Sequence, residues 1–82
     1  MDKVIVPLFY FSRVRRSDRA EIIRRMAVIP QDRQQEVANE YSRIYNRVRQ
    51  DSGIWEARAE ANKYLSSVAN PYRDELKKMR SA

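Results

Sequence analysis

Glu36 and Glu40 lie one helical turn apart, a spacing at which two carboxylates can work as a general acid–base pair. Such a pair needs a partner that drives the two pKa values apart, usually a histidine or further carboxylates facing it across a cleft. The 82-residue chain has no His and no Cys, and nothing supplies a second carboxylate pair. Imidazole catalysis, thiol nucleophiles, disulfides and the usual zinc sites are thereby removed. The hydroxyls of Ser66 and Ser67 have no base in view to activate them. A single glycine, Gly53, excludes the glycine-rich loops that let backbone amides approach a phosphate. Glu36 and Glu40 therefore read as a solvated helix face. The chain is expected to be non-enzymatic, with no catalytic residue, metal or cofactor.

The chemistry that remains is recognition of anions. The net charge is +6, from 17 basic and 11 acidic residues, and the basic set is mostly arginine. Arginine offers a planar fork that matches carboxylate and phosphate oxygens two at a time, which lysine does not. Arg13, Arg15, Arg16, Arg19, Arg24 and Arg25 crowd into one short stretch, opposed only by Asp18 and Glu21. That local excess points to a contact with an anionic partner. Arg43, Arg47 and Arg49 make a secondary basic face, and Arg73, Lys77, Lys78 and Arg80 a third cluster. Interspersed acids make ordinary solvated helix faces the simpler reading of these two.

The stretch VPLFYFSRVRR joins the first cluster to a greasy run. Three adjacent aromatics, Phe9, Tyr10 and Phe11, cannot all face one core from a single helix or strand, so at least one is expected at the surface or against a partner. The run cannot cross a membrane: residues 4–11 are broken by Pro7, and a spanning helix needs about 20 apolar residues. It does not read as a secretory signal either. No membrane role is expected.

The elements that must position these groups are helices. One Gly and three Pro leave few breakers in the chain. Ser17 is a suitable N-cap for a helix over SDRAEIIRRMAVI, with acids early and arginines late, ending near Val28 before Pro30. Val37, Tyr41, Ile44, Tyr45 and Val48 mark one face of a second helix over three turns. Pro30 suits its first turn, Asp32 with Gln35 offers a capping-box variant, and Gly53 can end it. In the third segment Ile54, Ala57, Ala61, Tyr64, Leu65 and Val68 share a face, the alanines permitting close approach of a neighbour. Trp55 is expected to plug one end of the bundle.

Asn70 as N-cap and Pro71 at the first helical position predict a fourth helix, with Tyr72, Leu76 and Met79 as its stripe. The expected fold is all-α: one small domain, a compact bundle of three to four short helices with an N-terminal segment that is either extended or helical. Gly53 also allows a helix-turn-helix placement. The would-be recognition helix carries no net charge, and Asn62 falls where that motif wants an apolar residue.

Residues 29–68, IPQDRQQEVANEYSRIYNRVRQDSGIWEARAEANKYLSSV, resemble a helical pair of bacteriophage and prophage proteins. In phage replication-initiation proteins of the gene A type, a proline-led helix with a tyrosine is followed by a helix bearing Ala-Asn-x-aromatic-Leu. The matching residues are Pro30, Tyr41 and Ala61, Asn62, Lys63, Tyr64 and Leu65. The likeness spans about half the chain and rests on a short motif. The paired tyrosines and metal-binding histidines of a nicking domain are not matched, so no nicking activity is implied. The resemblance implies a small helical accessory protein of a mobile element, of the kind that engages host nucleic-acid machinery.

Three functions follow as expectations. The first is a regulatory or inhibitory protein of phage type, in the cytoplasm of a host bacterium. It would dock on a larger host or phage protein or ribonucleoprotein, such as a nuclease or CRISPR-type defence complex. Phe9, Tyr10 and Phe11 would be its anchors and Arg13, Arg15, Arg16, Arg19, Arg24 and Arg25 its charged contacts. The second is direct, sequence-independent binding of nucleic acid through the arginine clusters. The third is an oligomerisation module using the N-terminal patch.

Overall fold

The computed structural model describes residues 4–13 and 15–81. It is the expected all-α bundle, with three helices and a very short β-hairpin. Strands β1 (Ser12–Arg13) and β2 (Arg16–Ser17) pair antiparallel, with Ser12 opposite Ser17 and Arg13 opposite Arg16. Helices α1 (Arg19–Met26), α2 (Gln31–Ser52) and α3 (Ile54–Ser81) follow.

Residues 4–11 form no helix, which decides between the two expectations for this segment. They run as a strap along α2. The Ile5 amide donates to Gln34 Oε1 at 3.0 Å and the Phe9 amide donates to Ser42 Oγ at 3.3 Å. Four residues of extended chain cover about 13 Å. Eight residues of helix rise about 12 Å, so the strap and α2 keep step. Pro7 is buried in the middle of the strap, where its missing N–H costs nothing.

Helix α1 ends at Met26, half a turn earlier than its pattern suggests. The Ala27, Val28 and Ile29 amides close the last turn on the carbonyls of Ile23, Arg25 and Met26. Pro30 is the N-cap residue of α2 with ψ 140°, one position before the first turn, and α2 has no side-chain cap. Gln35, expected in a capping box, instead donates to Asn39 Oδ1 at 2.9 Å.

Gly53 alone separates α2 from α3. Its φ of 94° lies where L side chains are strained, so this one residue lets the chain reverse. The two helices then run antiparallel along their length: Tyr41 bonds Asn62 near the turn and Arg33 bonds Tyr72 far from it. This is a helical hairpin, and the helix-turn-helix placement does not hold.

Helix α3 corrects a second expectation. It continues through Pro71 to Ser81, so the third and fourth predicted helices are one. Local rules favour a break there, because proline removes one i to i−4 bond. Ala69 and Tyr72, on either side of the proline, both pack on the core, and that packing holds the helix direction. The core is built from Phe11 on the strap, Ile22 and Met26 on α1, Val37, Tyr41 and Tyr45 on α2, and Ala57, Ala61, Leu65 and Ala69 on α3. The alanines on α3 stand at four-residue spacing and leave room for the tyrosines of α2.

Candidate docking surface

The hairpin is fixed to the bundle by one buried carboxylate. Asp18 is 5% exposed. Its amide donates to the Phe11 carbonyl at 3.0 Å, extending the hairpin ladder by one bond. Sequence reasoning makes Ser17 the N-cap. In the structure Asp18 holds that position, with no side-chain cap bond, and Ser17 Oγ accepts only from the Arg19 amide at 3.2 Å. The Asp18 carboxylate turns inward instead. Arg58 donates to both its oxygens, Nε and Nη2 each at 2.9 Å. Asn62 Nδ2 donates to Oδ2 at 3.0 Å, and Asn62 Oδ1 in turn accepts from the Tyr41 hydroxyl at 2.6 Å. One network thus joins the hairpin, the start of α1, α2 and α3.

The electrostatics follow from that geometry. Burial pushes the Asp18 carboxyl up, but the bonds from Arg58 and Asn62 and the charges of Arg58 and Arg25 outweigh it and hold the carboxyl below its ordinary value of 3.8. Burial, with the nearby Asp18 charge, pushes the Tyr41 hydroxyl well up, so it remains a donor. A depressed folded-state pKa adds stability that is complete above the unfolded value and is lost as pH falls through the folded one. The stability difference between the protein and Asp18→Asn should therefore stay constant from pH 7 to about 5 and shrink below 3.8, as measured by urea midpoints at each pH.

Arg58, held in place by Asp18, lies over the Phe11 ring at 4.5 Å. Phe11 meets Trp55 at 5.4 Å between centroids, tilted by 36°. Arg13 reaches over both rings, at 5.7 and 5.8 Å. Two cations and two aromatic rings thus stack at the hairpin end of the bundle. Trp55 is not the interior plug expected of it: it is 56% exposed, since Phe11 already fills the core beneath.

The structure sorts the expected site residues. Phe11 is fully buried and cannot be a direct anchor; it supports the surface from below. Phe9 is 49% exposed and Tyr10 is half-buried, and both line a shallow cleft of about 360 Å³ with Leu8, Tyr45, Arg49 and Ile54. Arg13, Arg15, Arg16 and Arg19 are exposed, and among the described residues none of them makes an ion pair. Arg13 and Arg16 stand directly opposite each other across the ladder, an arrangement of like charges that costs stability. Arg24 and Arg25 differ from expectation: α1 brings both to Glu21 one turn away, which offsets one of their two charges. In the second cluster Arg43 is paired with Glu40, Arg47 borders Glu60 and Lys63 in another depression, and Arg49 alone joins the cleft beside Phe9.

Sequence reasoning missed Leu8, which is 86% exposed, and the whole Asp18–Arg58–Asn62 network. The available signal for the network was Arg58 and Asn62, one turn apart on α3 beside the alanine face. Among the described residues, no helix is long and apolar enough to cross a membrane, and no cluster of carboxylates is suited to a metal ion. No family model, curated protein or solved structure matches this chain.

Proposed function

We propose that this protein is a non-enzymatic docking module of phage type that regulates or inhibits a larger nucleic-acid-handling complex in the host cytoplasm. One observation carries the reading. Leu8, Phe9 and Trp55 are exposed at the same end of the bundle as Arg13, Arg15 and Arg16, which make no ion pair among the described residues. Tryptophan and arginine are enriched at interface hot spots, which sit among apolar contacts. The opposed Arg13 and Arg16 support it too, because a charge arrangement that costs the free protein is relieved when an anionic surface covers it.

Direct binding of nucleic acid is the second reading, favoured by the exposed Trp55 ring next to Arg13, which makes no ion pair among the described residues. It makes less use of Leu8, an aliphatic side chain with no face for a base to stack on.

The test uses two variants, Trp55→Ala and Arg15→Glu, both at exposed positions where helicity by circular dichroism should not change. The tagged protein should capture one nucleic-acid-handling complex from bacterial lysate pretreated with nuclease, and each variant should reduce capture about tenfold or more. Capture that survives both substitutions places the contact elsewhere. Capture lost on nuclease treatment, with binding to random duplex that falls steeply between about 50 and 200 mM salt, establishes the second reading instead.

A further inference from the structure

The far end of α3 carries a second surface that the docking reading does not use. The Arg33–Tyr72 contact ties the start of α2 to α3, and from residue 73 to residue 80 every side chain of α3 is exposed. Helical geometry continues the core face straight into this overhang: Ala61, Leu65 and Ala69 are buried, and Tyr72, Leu76 and Met79 follow on the same side. Leu76 is 47% and Met79 71% exposed, for α2 begins too late to cover them.

Beside this stripe Arg73, Lys77 and Arg80 form a ridge at four- and three-residue steps. Together with Val28, Leu76 and Met79 they line an open groove of about 470 Å³. The floor is apolar and every charged residue of the lining is a cation. Asp74 and Lys78 fall on the opposite side of the helix and Glu75 beyond the far edge of the stripe.

We propose that this groove is a second docking site, which takes an acidic amphipathic helix of a partner protein. The occupant follows from charge and shape. A helix lying in α2's direction would set its apolar face on Leu76, Met79 and Val28 and its carboxylates along the ridge. A second copy of the chain would bring the same three cations and be repelled. A lipid surface would find only Leu76 and Met79 as exposed large apolar side chains at this end of α3, a small area for interfacial binding. The groove lies about 30 Å along α3 from Trp55, far enough for both ends to be occupied at once.

The probe is a fluorescein-labelled amphipathic peptide of leucine and glutamate, about four turns long. A twin peptide with lysine for glutamate serves as control. The acidic peptide should bind saturably with a Kd in the micromolar range. Leu76→Asp and the pair Lys77→Glu with Arg80→Glu should each weaken it about tenfold or more. Arg15→Glu and Trp55→Ala, at the other end, should leave it unchanged, which separates failure of this proposal from failure of the hairpin surface. Leu76, Lys77 and Arg80 are all exposed, so thermal unfolding of these variants should be unaltered. The proposal is overturned if the acidic peptide does not saturate, if the lysine peptide binds equally well, or if Leu76→Asp has no effect. It is also overturned if sedimentation shows a dimer that Leu76→Asp dissolves, or if phosphatidylglycerol vesicles outcompete the peptide.

Discussion

Arg58→Ala is expected to lower the free energy of unfolding by about 2–3 kcal/mol, measured by urea denaturation at pH 7. The substitution leaves Asp18, 5% exposed, with a buried negative charge and only Asn62 to bond it. Breaking a fully buried pair costs about 3–5 kcal/mol, and the lower figure applies here because the Arg58 side chain is 30% exposed and partly screened. A domain of this size has about 4–12 kcal/mol in all, so the midpoint of thermal unfolding should fall by about 10–20 °C. Arg58 also covers the Phe11 ring, and that contact is lost with it. Arg58→Lys keeps the charge but not the two-pronged bond, and should recover only part of the loss. If Arg58→Ala unfolds at the same urea concentration as the parent, the network does not hold the hairpin to the bundle.

Gln34→Leu is the second large effect, about 2–3 kcal/mol, and it should be felt mainly at the strap. Gln34 is 3% exposed, and its amide is fully used. Oε1 accepts from the Ile5 amide, and Nε2 donates to the Ile29 carbonyl at 2.9 Å and to the Met26 carbonyl at 3.2 Å. Those carbonyls belong to the end of α1 and the link beyond it; that of Met26 also accepts from the Ile29 amide, but helical geometry supplies no partner for that of Ile29. Leucine has similar bulk but leaves the Ile5 amide and the Ile29 carbonyl unpaired, while the Met26 carbonyl keeps the Ile29 amide. Hydrogen exchange at Ile5 should quicken to near the rate of an open chain, while amides in the paired stretch of α2 and α3 keep their order of protection. Exchange at Ile5 that stays slow would show that Pro7 and Phe11 hold the strap without Gln34.

The helical faces were legible because they are local. The spacing of Val37, Tyr41 and Tyr45, and of Ala57, Ala61 and Leu65, places each set on one side of a helix whatever the neighbours are. Gly53 as the break follows equally from its own backbone freedom. The site was legible in part. Crowded aromatics had to leave one ring outside, but nothing local says which. The strap runs in step with α2 and puts Phe11 in the core while Phe9 stays at the rim. The arginine cluster divided in the same way. Glu21 is shared by Arg24 and Arg25 because α1 brings them together, whereas the hairpin holds Arg13 and Arg16 in no ion pair among the described residues.

By itself, then, the sequence determined an all-α chain with its helical stripes, its reversal at Gly53 and its surplus of arginine. Those properties depend on residues within a turn or two of one another. Only the tertiary structure decided that Asp18 turns from capping α1 to a partner forty positions away, that Trp55 lies outside over Phe11, and that α3 runs on through Pro71. Each of these is a competition between a local preference and a distant partner. The local side can be read from neighbouring residues, but the distant side exists only once the chain has folded.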